Sequence, residues 1–205
     1  MIDYSITYQK WTLLFELMVE NKCKVIVDLG ISKGITELYI KDLCIINNYH
    51  IERYYGVDSF NDPLCSHGAQ YFAASEAQMA NLLAWPEFLF INKTTDDALV
   101  NIPNNVDMVF VDASHVPSQM IQDIKNYSEK LKDGGVLVGH EYGLFIKPIY
   151  GDYGDITRFV DSYIGKENIN IIQDTRLESS FPCWLWWTYI YRNKEGKIEY
   201  FKERK

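Results

Sequence analysis

Two small groups of residues in this chain have types and spacings that can do chemistry. The first is Asp28, Gly30 and Gly34 in the run VDLGISKGIT, where a β-branched stretch meets a glycine turn. Gly30 gives the backbone room to turn and lets a ligand approach closely, and Gly34 lets a following helix pack near the strand. The spacing is not the G-x-G-x-x-G of nicotinamide and flavin sites. Asp28 stands immediately before the turn, where a carboxylate repels a pyrophosphate and attracts a cation such as an ammonium or a sulfonium. Asp58 ends a second strand and is the acid expected to accept two ribose hydroxyls in a doubly wound nucleoside site. The second group is Asp112 and His115 after a fourth strand, with His140 and Glu141 after a fifth. The carboxyl ends of neighbouring strands border one crevice, so these four can face one another.

Such a set supports two chemistries. A histidine titrating near neutrality can take a proton from an acceptor group. Alternatively, Asp112 and Glu141 are hard oxygen ligands that fit Mg²⁺, and His140 would shift the preference toward a transition metal. Ordinary readings stay open beside these. His115 can cap a helix start and His140 can serve as a hydrogen-bonding loop residue. Either aspartate alone can be a solvated strand end.

The elements that must position these residues follow from the hydrophobic pattern. Trp11, Leu14, Phe15 and Met18 recur at helical spacing, so the chain opens with an amphipathic helix. Strands are expected at Lys24 to Leu29, Tyr54 to Val57, Phe88 to Ile91, Asp107 to Val111 and Val136 to Val138. Helices are expected from about Gly34 to Ile46, from about Ala69 to Leu83, shortly after Thr95, and from Pro117, which suits a first helical turn. Met120, Ile124, Tyr127 and Leu131 form the apolar face of that last helix, and Gly134-Gly135 is expected to end it. Asp155 caps a further helix with the stripe Ile156, Phe159, Val160 and Tyr163. Asn170 to Gln173 and Trp184 to Tyr191 are two strands with no helix between them. Strands alternating with helices imply parallel βαβ units, and the last pair implies an antiparallel edge hairpin. The expected fold is one doubly wound α/β domain over residues 1–205, with a mostly parallel, seven-stranded, Rossmann-like sheet. Residues 61–86 exceed a plain connection and read as a lid or acceptor-binding insertion.

With those residues in place, the chain resembles the class I S-adenosylmethionine (SAM)-dependent methyltransferases from about Cys23 to Tyr191. VDLGISKGIT is similar to their glycine-rich first motif. YYGVDS is similar to the second, with Asp58 and Ser59 at the ribose, and NKTTDDAL to the third, which implies Thr94, Thr95 and Asp96 around the adenine. The segment DMVFVDASHVPSQMIQDIKNYSEKLKDGGVLVGHEYG is the most specific and resembles the small-molecule O-methyltransferase branch. The resemblance implies SAM as cofactor, with Asp28, Gly30, Gly34, Asp58, Ser59, Thr94, Thr95, Asp96 and Asp112 around it. It also implies methyl transfer to a hydroxyl oxygen, with Asp112 and His115 as the catalytic pair. His115 is the preferred base because its position matches the polar base position of catechol-type relatives. A divalent cation on Asp112, His140 and Glu141 would acidify a bound hydroxyl and make a separate base less necessary. Two departures stand out: Lys33 in the glycine loop, and His140-Glu141 where metal-using relatives present two acids or an acid and an amide.

Bulk properties narrow the partners. A net charge of −8 repels phosphate backbones, so a small-molecule acceptor is expected rather than nucleic acid. Nor does Asp-Ala-Ser-His match the Asn/Asp-Pro-Pro-aromatic motif of base-modifying enzymes. The apolar runs are too short to span a bilayer and the first residues carry no secretory pattern, so no membrane partner is expected. Cys23, Cys44, Cys65 and Cys183 lack metal-like spacing and read as free thiols of a cytoplasmic protein. The rival from outside enzymology is a SAM-binding or regulatory module that keeps the fold without turnover.

Overall fold

In the computed structural model, the residues described are 12, 14–59, 76–114, 116–142, 154–173 and 185–190; for a few of these, including 140–142 and 185–190, the backbone alone is described. Helix α1 covers 14–20 and buries Leu14, Phe15 and Met18, as its periodicity requires; Trp11 lies outside the described residues. Strands β1 (Val25–Leu29), β2 (Arg53–Asp58), β3 (Phe88–Asn92) and β4 (Val106–Val111) alternate with α2 (Ile35–Ile46), α3 (Glu76–Leu83) and α4 (Thr95–Ala98). Helix α5 (Pro117–Ser128) leads to β5 (Leu131–Tyr142), and α6 (Gly154–Val160) continues as a wider turn to Gly165. Strands β6 (Asn170–Gln173) and β7 (Leu185–Ile190) are the last elements among the described residues. The part of the expected third helix before Glu76, and the segment 61–75, lie outside the described residues.

The sheet order is β3-β2-β1-β4-β5-β7-β6. Strands β1 to β5 pair in parallel. Strand β7 runs antiparallel to β5, and β6 antiparallel to β7. The turn joining β6 to β7 falls among residues not described. The order reverses between β1 and β4, and in open α/β sheets that reversal opens the crevice where ligands bind.

Strand alternation divides the core into two layers. Val27, Leu29, Val109, Val111 and Leu137 pack with Met120, Ile124 and Tyr127 of α5 and with Ile156 and Val160 of α6. Ile26, Tyr54, Met108, Phe110, Val136 and Val138 pack on the opposite face with α1, with Ile40 and Leu43 of α2, and with Leu82 of α3. A strand buried on both faces reads as a continuous apolar run, which is why VDMVFV is fully buried. Each fully buried aliphatic side chain contributes roughly 1.5–3 kcal/mol.

The junction of α5 and β5 corrects the expected helix end. Helix α5 stops at Ser128, whose hydroxyl turns back to the Lys125 carbonyl at 2.9 Å. Leu131 is buried because it pairs with Val106 in the sheet, not because it extends the helix stripe. Gly134 and Gly135 lie inside β5, where the pairing shifts between Val106 and Met108. Gly134 has φ +75°, so the two glycines form a bulge, not a helix cap. Strand β5 also extends further than Val136 to Val138, and His140 and Glu141 therefore lie within it rather than after it.

Candidate functional site

At the carboxyl end of the sheet the backbone of three strands is tied together around Gly30. The Gly30 amide donates to the Val57 carbonyl at 2.9 Å, and the Asp112 amide donates to the Leu29 carbonyl at 3.0 Å. Gly30 has φ +95°, and a Cβ there would overlap the Asp112 carbonyl oxygen and stand 2.5 Å from Ala113 Cα. Only glycine satisfies both demands. Ser32 and Gly34 are also left-handed, at φ +47° and +67°, which winds the loop tightly into α2. The Asp58 carboxylate at the tip of β2 accepts the Ser32 amide at 2.7 Å, pinning the loop from the side. Burial raises the Asp58 carboxyl above its ordinary value, while the amides of Ser32 and Ser59 pull it back. A carboxylate has about four lone-pair positions, so Asp58 keeps acceptors for a ligand's hydroxyls.

Asp28 is 1% exposed and faces α2, on the same side of β1 as Ile26. Tyr54, the partner of Ile26 on β2, donates its hydroxyl to Asp28 Oδ2 at 2.6 Å. Glu37, in the first turn of α2, is 0% exposed and interacts with the Asp28 carboxyl. Burial pushes Asp28 up to about 7; the Tyr54 and Glu37 interactions lower it, and the charges of Asp112 and Asp58 raise it further. Glu37 lies well above its ordinary value, through burial first and Asp28 second. Asp28 Oδ1 and both Glu37 oxygens are buried with no hydrogen-bond partner.

The third-motif residues sit at the start of α4. Thr94 caps that helix by accepting the Asp97 amide at 3.2 Å. Thr95 donates to Asp123 Oδ1 of α5 at 2.6 Å, and its carbonyl accepts from the Tyr127 hydroxyl at 2.6 Å. Gln119 joins the same cluster, reaching Asp123 at 3.1 Å and Asp96 at 3.4 Å. The hydroxyls of Thr94 and Thr95 are thus engaged inside the protein, and Asp96 has the freest side chain of the three.

Asp112, half-buried directly after β4, is brought beside Gly30 and within electrostatic reach of Asp28. His115 lies outside the described residues. The N-cap position of α5 belongs to its successor Val116, whose amide is taken by Ser114 Oγ at 3.2 Å. The backbone places His140 and Glu141 in β5 where its pairing with β7 shifts between Gly139 and Tyr142, a bulge bordering the crevice. Among the described residues no group of three His, Cys, Asp or Glu side chains could hold a metal. The side chains of His140 and Glu141 are not among those described, so Asp112 alone represents the expected ligand set there. What is described fits a ligand with a cationic end near Asp28 and hydroxyls near Asp58.

Sequence reasoning missed Glu37, Tyr54, Gln119 and Asp123. Glu37 in a first helical turn looks like an ordinary partner of the helix dipole. Asp123 looks like a solvated residue on a polar face, yet it is 0% exposed. The alternation of Tyr54 with Gly56 opposite Asp28 was the one readable signal, because it puts the phenol on the Asp28 face.

Solved structures of low sequence identity share this fold. The O-methyltransferase TomG from Streptomyces achromogenes, in complex with SAM, has TM-score 0.61 and 14% identity, over 93% of this chain and 83% of that one. An O-methyltransferase from Bacillus cereus in complex with SAH has TM-score 0.60 and 12% identity, over 92% and 84%. An rRNA methylase from Streptococcus thermophilus has TM-score 0.56 and 12% identity, over 93% and 99%. No curated protein matches the chain. A family model described as a methyltransferase domain matches residues 27–142, more than half of the chain, from Val27 in β1 to the end of β5. The chain therefore belongs to that family, among the class I SAM-dependent methyltransferases.

Proposed function

We propose that the chain transfers the methyl group of SAM to a hydroxyl oxygen of a small molecule. The observation that carries the donor reading is the pair of acids at adjacent strand ends: buried Asp28 with an unpartnered oxygen, and Asp58 holding the glycine loop. SAM, when bound, supplies a methyl group already activated by its positive sulfur, so the protein's work is alignment and proton removal. Asp28 attracts the cationic end, Asp58 and Ser59 accept the ribose hydroxyls, and Asp96, with the backbone of Thr94 and Thr95, borders the adenine. Gly30 and Gly34 let the ligand approach the loop. Asp112 lines the reacting side, and His115 takes the acceptor's proton on an imidazole nitrogen. The oxygen acceptor is supported by the DASH and HEY segments and by the two O-methyltransferases of like fold. The charge of −8 favours a small molecule over the RNA of the rRNA methylase. On this reading the protein works in the cytoplasm, where the buried thiols of Cys23 and Cys44 stay free; no helix among the described residues is long and apolar enough to cross a membrane.

Calorimetry with SAM, S-adenosylhomocysteine and NAD tests the donor site: the first two should bind and NAD should not. Release of S-adenosylhomocysteine across a panel of small hydroxylated compounds tests the acceptor. Binding of NAD in place of SAM overturns the proposal. SAM binding with no turnover on any compound would favour a regulatory module instead.

A further inference from the structure

Asp28 and Glu37 bring two carboxyl groups into one fully buried space, at 1% and 0% exposure. The groups that bear on Asp28 come from three directions. Glu37 reaches it from α2, Tyr54 and Asp58 from β2, and Asp112 from the end of β4. Tyr54 is neutral and the other three are acids, so none of these neighbours is a cation. The Tyr54 hydroxyl satisfies only one Asp28 oxygen, and Asp28 Oδ1 and both Glu37 oxygens have no hydrogen-bond partner. Two ionised carboxylates cannot share such a space without a counter-charge, because desolvation and mutual repulsion both oppose the second ionisation.

We infer that Asp28 and Glu37 form a proton-holding pair, and that a cationic ligand group entering beside Asp28 expels a proton from the pair to the solvent. Glu37 is then a positioning residue that acts on the ligand through Asp28. This rests on the donor-site reading above, which supplies the cation. In the free protein the pair keeps its charge low and the strand end buried. With the ligand bound, the positive charge stands where the missing counter-ion would be, Asp28 ionises, and the remaining Glu37 proton can satisfy Asp28 Oδ1. The ligand is thereby held by a full charge that the empty site does not carry. Burial, the first cause for each, raises both carboxyls, Asp28 to about 7 and Glu37 well above its ordinary value.

The experiment is calorimetric binding of SAM to the full chain from about pH 6 to pH 8, in buffers of different ionisation enthalpy, which counts protons exchanged. Wild type should release about half a proton per SAM at pH 7 and close to one at pH 6, with affinity rising roughly fivefold over that unit. Asp28→Asn removes the carboxyl that ionises while keeping its shape, so SAM should bind more weakly and with this release largely gone. The ligand's own amino group contributes equally to both proteins, so the difference between them isolates the pair. Adenosine, which lacks the cation, should bind without the release. Should Asp28→Asn not fold, difference infrared spectra of the wild type decide the matter: protonated-carboxyl absorption should lose intensity when SAM is added, Glu37 keeping its own proton. Equal proton release in wild type and Asp28→Asn, or an unchanged carboxyl band, overturns the inference while leaving the donor site intact. Failure of SAM to bind wild type at all overturns the donor site itself.

Discussion

The Asp58 carboxylate and the Ser32 amide are 2.7 Å apart, so the tip of β2 and the loop after β1 form one hydrogen-bonded unit. Asp58 thus has two tasks, shaping the loop and offering oxygens to a ribose. Asp58→Ala should weaken SAM binding by about 1–3 kcal/mol, the range for losing charge-assisted hydrogen bonds. Titration calorimetry measures it, and an unchanged dissociation constant would remove Asp58 from the site.

Gly30 and Gly134 separate packing from backbone strain. Both have positive φ, but a Cβ on Gly30 strikes the Asp112–Ala113 backbone, whereas one on Gly134 meets nothing within 4 Å. Gly134→Ala should cost roughly 1–2 kcal/mol, from backbone conformation alone. Gly30→Ala should cost about 3 kcal/mol or more by adding overpacking, and should also impair SAM binding. Urea unfolding of both variants tests this; equal losses would show that strain alone matters at Gly30.

Asp123 makes stability depend on pH. Burial raises it to about 6, with the hydrogen bonds of Thr95 and Gln119 opposing and Asp96 adding to the rise. A carboxyl raised in the folded state binds its proton more tightly there than in the unfolded chain. Its contribution is therefore most favourable below the unfolded value near 4 and declines as pH rises to about 6. Two units correspond to about 3 kcal/mol. Asp123→Asn should make the loss of stability between pH 4 and pH 6 shallower by up to that amount, as read from urea unfolding at several pH values. Identical slopes would show that the carboxyl is not raised.

His115 carries the proton in the proposed reaction. His115→Ala should lower kcat by roughly 10²–10⁴ with SAM binding kept. The acidic limb of the rate profile, expected near the imidazole range, should vanish in that variant and persist in His140→Ala. The reverse pattern would move the role to His140.

Chelation tests the divalent cation. If Asp112, His140 and Glu141 hold one, a chelator should abolish turnover, Mg²⁺ or Mn²⁺ should restore it, and SAM affinity should barely change. Full activity in chelator leaves proton transfer to the side chains alone.

The strands and the glycine turn were legible because each depends on local pattern. The VDLGISKGIT run announces a buried strand, a tight turn and a helix in sequence, and these are the elements found. Asp28 and Asp58 were legible as strand-end acids for the same reason. Leu131 was misassigned because it suits either the next position on the α5 stripe or the first pairing position of β5, and the Val106 contact that decides is 25 residues away. Glu37 and Asp123 were illegible for a related reason. Each lies on a helix face that looks polar, and only packing against β1 or α4 shows that the face is buried. The surroundings of Asp28 are made by neighbours from α2, β2 and the end of β4, so no window of sequence contains them.

The pairing of Ile26 with Met108 sets the order in which the molecule can be completed. During synthesis, β1, β2 and β3 are made well before β4 reaches the other side of β1. Until then the strand bearing Asp28 presents an open edge, the kind of surface on which nascent chains associate wrongly. Joining β1 to β4 closes a long loop before any contact rewards it, so this step should be slow compared with helix formation. The ligand crevice lies at that seam, and it comes into existence only when this long-range pairing is made.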